Sequence, residues 1–283
     1  MDRNQFCVEM IQAADSACRP YLVALYGRSV SGNTSLGTGS LLRHGQRLYV
    51  LTCLHVAQEF FASSTEEAKV IRPASLGTID RPELRLVQED ATDDIALIEV
   101  LNEKGLLQLD RVLTLNDLGF IDNFRDMPVD GRSFVLTGFP SDAIVMDHVR
   151  RRMDLIPVSY LTYHVDDPSM PEHCLYLDYI AGEDQLLFSP ETRTHRLDAL
   201  LKPFGFSGSA IRMIPKLNQD PNIWHFGMSK IVAIQQSTNQ RNWVQCSPPP
   251  PGSTLVESCV VIALHARNNA APCSAEIMNA PCR

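Results

Sequence analysis

No run of apolar residues in the 283-residue chain reaches the length of a membrane span, which takes about 20 residues. The first ten residues, Met1 to Met10, also lack the uninterrupted apolar core of a secretion signal, so the chain is expected to be cytoplasmic with no membrane partner. No basic run is long enough to offset a net charge of -8, from 25 Lys and Arg against 33 Asp and Glu, in front of a phosphate backbone. Nucleic acid is therefore not an expected partner. Cysteine occurs eight times but never as Cys-x-x-Cys, and its irregular spacing argues for reduced thiols rather than a disulfide framework. His173-Cys174 has no nearby companions for a structural zinc site, and Cys53 and Cys259, inside apolar runs, read as small core residues. There is no internal repeat and no βαβ pattern.

What is present is enough apolar material, 45% of residues against 20% charged, for one large domain or two small packed ones. Residues 1–20 read as an N-terminal helix, with Phe6, Met10, Ile11 and Ala14 at helical spacing before Pro20 stops the pattern. From Tyr21 the chain becomes short β-type runs split by turn residues: Tyr21–Tyr26, Thr38–Arg43, Arg47–Thr52, Val70–Arg72, Leu84–Gln88 and Ile95–Val100. After a polar stretch from Asn116 to Arg132 a second series follows, at Ser133–Thr137, Leu155–Thr162, Leu175–Tyr179, Ala210–Ile214, Lys230–Gln236 and Leu255–Leu264. Six strands in each half is the cadence of two packed six-stranded antiparallel β-barrels, an all-β fold with short terminal helices. The expected divisions are residues 21–125 and 126–265, the second with an insertion at about 142–202, and a tail or short helix at 266–283. Ser247-Pro-Pro-Pro-Pro-Gly252 must be an extended connection, since four prolines donate nothing to a ladder.

Three segments have the composition that serine-based amide hydrolysis needs: a base, an acid to orient it, and a nucleophile beside backbone donors. In Gly37-Thr-Gly-Ser-Leu-Leu-Arg-His-Gly-Gln-Arg-Leu-Tyr-Val-Leu-Thr-Cys-Leu-His55, a strand, a turn and a second strand deliver a histidine at a strand end. In Ala91-Thr-Asp-Asp94-Ile-Ala-Leu-Ile, an acid precedes an apolar strand. In Pro203-Phe-Gly-Phe-Ser207-Gly-Ser-Ala-Ile-Arg212, a serine sits in a glycine-bearing loop. Together they resemble the trypsin-like serine peptidase family, in the style of its intracellular bacterial or stress-type branches. The resemblance spans Tyr21 to Leu264, including Phe134-Val-Leu-Thr-Gly-Phe-Pro140 and Ile231-Val-Ala-Ile-Gln235. Its motifs are short, and their force lies in the order His, Asp, Ser. Cys53 and Leu54 stand where the family has two small residues, and Ser209 and Ala210 where it has glycine and proline.

The resemblance implies His55 as general base, Asp94 rather than Asp93 as its support, Ser207 as nucleophile, and the N–H groups of Gly205 and Ser207 as oxyanion donors. It also implies an extended protein or peptide substrate along Ile231–Gln236, a pocket near Leu201, Ile234, Gln235, Gln236 and Ser237, and no metal or cofactor. No acid lies in the window from Ala199 to Phe206, which points to an apolar or small P1 side chain. Without an Ile-Val-Gly-Gly type start, control is expected from an activating partner protein or from the 142–202 region. Gly205-Phe-Ser-Gly-Ser also begins like the nucleophile elbow of an α/β-hydrolase. Its fifth position is not glycine, however, and the chain order of that fold would leave His55 and Asp94 unexplained. The non-enzymatic alternative is an inactive or latent peptidase-fold module that binds peptides or partner proteins. Arg150-Arg-Arg152 reads as a solvated loop.

Overall fold

A computed structural model of the chain describes residues 3–28, 34–44, 47–62, 70–73, 79–80, 83–91, 94–101, 113–114, 133–141, 144–147, 152–165, 175–178, 187–188, 205–214, 230–238 and 243–247. Helix α1 (Arg3–Cys18) runs into one 3-10 turn (Arg19–Tyr21) at Pro20, a residue that cannot continue a helical ladder. Strands β1 (Leu22–Arg28), β2 (Thr34–His44) and β3 (Arg47–Cys53) follow, then helix α2 (Leu54–Ala62) directly from the end of β3. Next come β4 (Val70–Pro73), β5 (Ile79–Asp80), β6 (Leu84–Asp90), β7 (Ile95–Val100) and β8 (Leu113–Thr114). They form an eight-stranded sheet in the order β5-β4-β1-β2-β3-β7-β6, with β8 alongside β2 as its parallel member.

The second half begins with β9 (Ser133–Gly138), the hairpin β10 (Ile144–Asp147) and β11 (Arg152–Leu155), then β12 (Val158–Tyr163), β13 (Leu175–Asp178) and β14 (Leu187–Phe188). It ends with β15 (Ala210–Ile214), β16 (Lys230–Thr238) and β17 (Trp243–Ser247). Apart from the hairpin, these strands make a seven-stranded antiparallel sheet in the order β13-β17-β16-β15-β9-β12-β14. The chain is thus largely β, in two antiparallel sheets with few helices. Without the two-residue strands β5, β8 and β14, each sheet has six strands among the described residues, and β17 in the second is a strand the sequence reading did not expect. Among the described residues both strand orders are open paths rather than closed barrels. The strand expected at 255–264, the proline connection and the tail at 266–283 lie outside the described residues.

Each sheet has its own core. The first gathers Val23, Leu25, Leu41, Leu48, Val50, Leu51, Ile95, Leu97 and Ile98 with Leu54, Val56, Ala57 and Phe60 of α2. The second gathers Phe134, Leu136, Tyr160, Leu175, Leu177, Phe206, Ile211 and Met213. At roughly 1.5–3 kcal/mol for each fully buried large side chain, these clusters are the main force holding the strands in register. Strand β16 serves both, with Ile231 and Ile234 in the first core and Val232 and Ala233 in the second. Gly37 on β2 permits the close seat of α2: a Cβ there would lie 2.2 Å from Val56 Cγ1.

Helix α1 packs not on the adjoining first sheet but on β9, β12 and β14 of the second, burying Met10, Ile11 and Ala14. Its Asp15, fully buried, accepts hydrogen bonds from the Ser159 hydroxyl (3.1 Å) and Arg19 Nε (3.1 Å), and Ser159 in turn lies 2.9 Å from the Thr137 hydroxyl. A buried charge is tolerable only with such partners. Cys18 closes the helix beside Arg212, with burial pushing its thiol up and keeping it protonated. Neither Cys18 nor Cys53 is in a disulfide.

Candidate active site

The pairing of β3 with β7 ends with Cys53 opposite Ile95, which brings the next residues, Leu54 and His55, against the residue before Ile95, Asp94. The Leu54 N–H donates to the Asp94 carbonyl (3.0 Å), and the His55 N–H donates to Asp94 Oδ1 (3.0 Å). That leaves Asp94 Oδ2 for the ring, 2.6 Å from His55 Nδ1. Asp94 takes a left-handed backbone conformation, φ +50°, one that Asp adopts more readily than most side chains. Both groups are only half-buried, with side-chain exposures of 42% for His55 and 26% for Asp94, so the far face of the ring is open to solvent. The hydrogen bond to Asp94 raises the His55 pKa above its ordinary 6.5; burial opposes this, and the charges of Asp94 and Glu59 add to it. A proton held on Nδ1 by the carboxylate leaves Nε2 as an acceptor.

Ser207 comes from a loop, residues 205–209, stitched to β2, β9 and β16. The Thr38 hydroxyl donates to the Gly205 carbonyl (2.7 Å) and accepts from the Phe139 N–H (3.0 Å), while the Thr38 N–H donates to the Ser207 carbonyl (2.8 Å). The Gly208 N–H donates to the Gln235 carbonyl, and the Gln235 N–H to the Ser209 carbonyl, both at 2.9 Å. Phe206 is fully buried and anchors the loop in the second core. Gly205 and Gly208 take φ of +93° and +90°, which glycine alone adopts at little cost. Neither the Gly205 nor the Ser207 N–H has a hydrogen-bond partner among the described residues.

The Ser207 hydroxyl points to β16, donating to the Gln236 carbonyl at 3.0 Å. Among the described residues no hydrogen bond joins it to His55. That carbonyl lies at a bulge in the β16–β17 ladder, where the register shifts between Gln235, paired with Cys246, and Ser237, paired with Gln245. The structure therefore brings His55 and Asp94 into contact and places Ser207 on a separately braced loop.

Of the residues expected at the substrate pocket, Leu201 lies outside the described residues. Ile234, Gln235 and Gln236 are buried on β16, and Ser237 pairs with Gln245. Strand β16 was expected to offer Ile231–Gln236 as an exposed edge. Instead β15 occupies one side as far as Ala210 opposite Ile234, and β17 lies on the other from Ser247 opposite Ile234. The edge left beyond the β15 ladder begins past Gln235. Two contributors went unread in the sequence. In sequence Thr38 reads as the middle of Gly37-Thr-Gly39 and Cys53 as a small core residue. The thiol of Cys53 donates to the Gln235 carbonyl (2.8 Å) and lies within 4.8 Å of the His55 and Asp94 ligand atoms.

No protein-family model matches the chain, and no curated protein matches it in sequence. Solved structures do match in shape. An HtrA-type protease, AlgW with tripeptide, superimposes with a TM-score of 0.51 at 12% identity over 90% of this chain, which spans 64% of that one. A serine endoprotease from Yersinia pestis gives 0.48 at 14% identity, covering 92% of this chain and 67% of that one. The Rv3671c protease from M. tuberculosis in its active form gives 0.43 at 14% identity, covering 88% and 83%. The likeness to AlgW shows a shared fold.

Proposed function

We propose that the chain is a serine endopeptidase acting through Ser207, His55 and Asp94. The observation that carries this reading is the His55–Asp94 pair: one carboxylate oxygen held by the His55 backbone N–H, the other 2.6 Å from Nδ1, on a ring whose other nitrogen is left to accept a proton. The two sheets stand for the two six-stranded barrels of trypsin-like peptidases, with His55 and Asp94 on the first and Ser207 on the second.

In this mechanism the Ser207 hydroxyl rotates from the Gln236 carbonyl toward His55 Nε2 and attacks the scissile carbonyl as the imidazole takes its proton. The N–H groups of Gly205 and Ser207 receive the oxyanion, an acyl-enzyme forms with loss of the amine, and water releases the acid. A peptide substrate lies extended along β16 beyond Gln235, with an apolar or small side chain at P1. A latent module that binds peptides is the second reading, and the Ser207 hydroxyl turned to Gln236 is the observation that favours it. An activating partner protein fits either reading.

Labelling with a fluorophosphonate probe decides between them. Wild type should label, and Ser207→Ala and His55→Ala should not. A folded wild type that stays unlabelled would put the latent module first.

The pH dependence follows from the sign of the His55 shift. The base must be neutral, and its pKa is raised, so kcat/KM should climb through a pKa above 6.5 as pH increases. Removing the Glu59 charge in Glu59→Gln should move that acid limb to lower pH. A limb at the same pH in the variant would remove Glu59 from the account. The same pairing stabilises the fold most fully below pH 6.5, and that contribution fades as pH rises through the raised pKa.

A further inference from the structure

We infer that Cys53, His55 and Asp94 form a binding site for a thiophilic divalent cation of the Zn²⁺ class, whose occupancy blocks the base. The site stands on geometry alone; its effect on catalysis rests on the peptidase reading above.

The Cys53 thiol, a ring nitrogen of His55 and a carboxylate oxygen of Asp94 all lie within 4.8 Å of one another. A tetrahedral ion with bonds of about 2.3 Å to sulfur and about 2.0–2.2 Å to nitrogen and oxygen needs its ligand atoms roughly 3.5 Å apart. Closing the set therefore takes side-chain movements on the order of 1 Å. The three residues stand on one rigid frame: Cys53 ends β3, His55 is the second residue of α2, and Asp94 precedes β7 in register with them. Thiolate, imidazole and carboxylate together match the borderline-soft chemistry of zinc and not that of magnesium or calcium. Cys53 is fully buried, while the His55 and Asp94 side chains are 42% and 26% exposed, which gives the ion a way in beside them and leaves its fourth position to water.

Binding exchanges the thiol proton, released to solvent, for the charge of the cation, and the Gln235 carbonyl that the thiol had been donating to keeps the Gly208 N–H at 2.9 Å. The consequence for catalysis lies in the tautomer. A cation on Nδ1 moves the ring proton to Nε2, and Nε2–H can no longer accept the Ser207 proton. A small apolar residue at position 53 would pack as well but could not ligate.

Titration of the full-length chain with Co²⁺ tests this directly. Wild type and Ser207→Ala should both develop a thiolate-to-cobalt charge-transfer band and tetrahedral visible bands, displaced by Zn²⁺ and abolished by a chelator. Cys53→Ser and Cys53→Ala, each checked for fold by circular dichroism, should lose the charge-transfer band, and His55→Ala should bind roughly tenfold or more weakly. Absence of the band in wild type, or its survival in a folded Cys53 variant, overturns the site. In the peptidase assay Zn²⁺ should inhibit wild type reversibly and Cys53→Ala roughly tenfold less strongly. Equal inhibition of the two would overturn the block. A wild type with no peptidase activity would count against the peptidase reading alone, since the cobalt spectrum needs no turnover.

Discussion

Asparagine at position 94 should lower kcat about 10⁴-fold while leaving KM and the melting temperature close to wild type. The reason is confined to one oxygen. Asp94 Oδ1 accepts the His55 backbone N–H, and an asparagine carbonyl can do the same, so the junction of β3, α2 and β7 survives. Asparagine also tolerates φ of +50°. Oδ2, however, faces His55 Nδ1 at 2.6 Å, and an amide NH₂ there donates where the carboxylate accepts. The ring must then carry its proton on Nε2, the nitrogen that the proposed mechanism needs free to take the proton of Ser207. Single-turnover acylation with an ester substrate would show the effect at the chemical step. A loss of less than about tenfold would mean that Asp94 merely holds the loop.

Gly208→Ala should be the most damaging small substitution in the loop, destabilising the fold by about 2–5 kcal/mol through backbone strain and overpacking together. Its φ is +90°, and a Cβ would lie 2.0 Å from the Thr38 carbonyl oxygen and 2.2 Å from Thr52 Oγ1. Neither neighbour has room to yield. The Thr38 carbonyl already accepts the Thr52 hydroxyl at 2.7 Å, and the same threonine holds the Gly205 and Ser207 carbonyls. A shift of Thr38 would therefore release the 205–209 loop at both Gly205 and Ser207. Urea denaturation checks this, with Ser207→Ala, which removes one half-buried hydroxyl, as the control expected near wild type. A midpoint for Gly208→Ala equal to that control would mean that the loop is not braced as described.

Much of the fold could be read from local pattern. Alternating and continuous apolar runs marked β3, β7, β9 and β16, and the spacing of Met10, Ile11 and Ala14 marked the buried face of α1. The histidine and aspartate segments carried enough context to select Asp94 from the pair Asp93-Asp94. What escaped notice depends on partners far away in the chain. Nothing local distinguishes Thr38 from any strand threonine, because its role comes from the Gly205 carbonyl 167 residues later. The bulge at Gln236 is a property of the β16–β17 register, and the significance of Cys53 lies in the Gln235 carbonyl, 182 residues on. Helix α2 carries little local signal, because its nine residues follow β3 directly, with no turn residue between Cys53 and Leu54.

The docking of α1 sets an order on assembly during synthesis. Helix α1 leaves the ribosome before its seat on β9 and β12 has been made, and its Asp15 waits for Ser159, 144 residues further along. Chains emerge at roughly 5–20 residues per second, so the helix spends on the order of ten seconds without its partner surface. Throughout that interval Met10, Ile11 and Ala14 are bare, and the carboxylate beside them stays hydrated. Helix α1 is thus made before the sheet it seats on and is seated only after it. Completion of the second sheet, rather than emergence of the first, is the event that removes this apolar face from water and from the reach of chaperones.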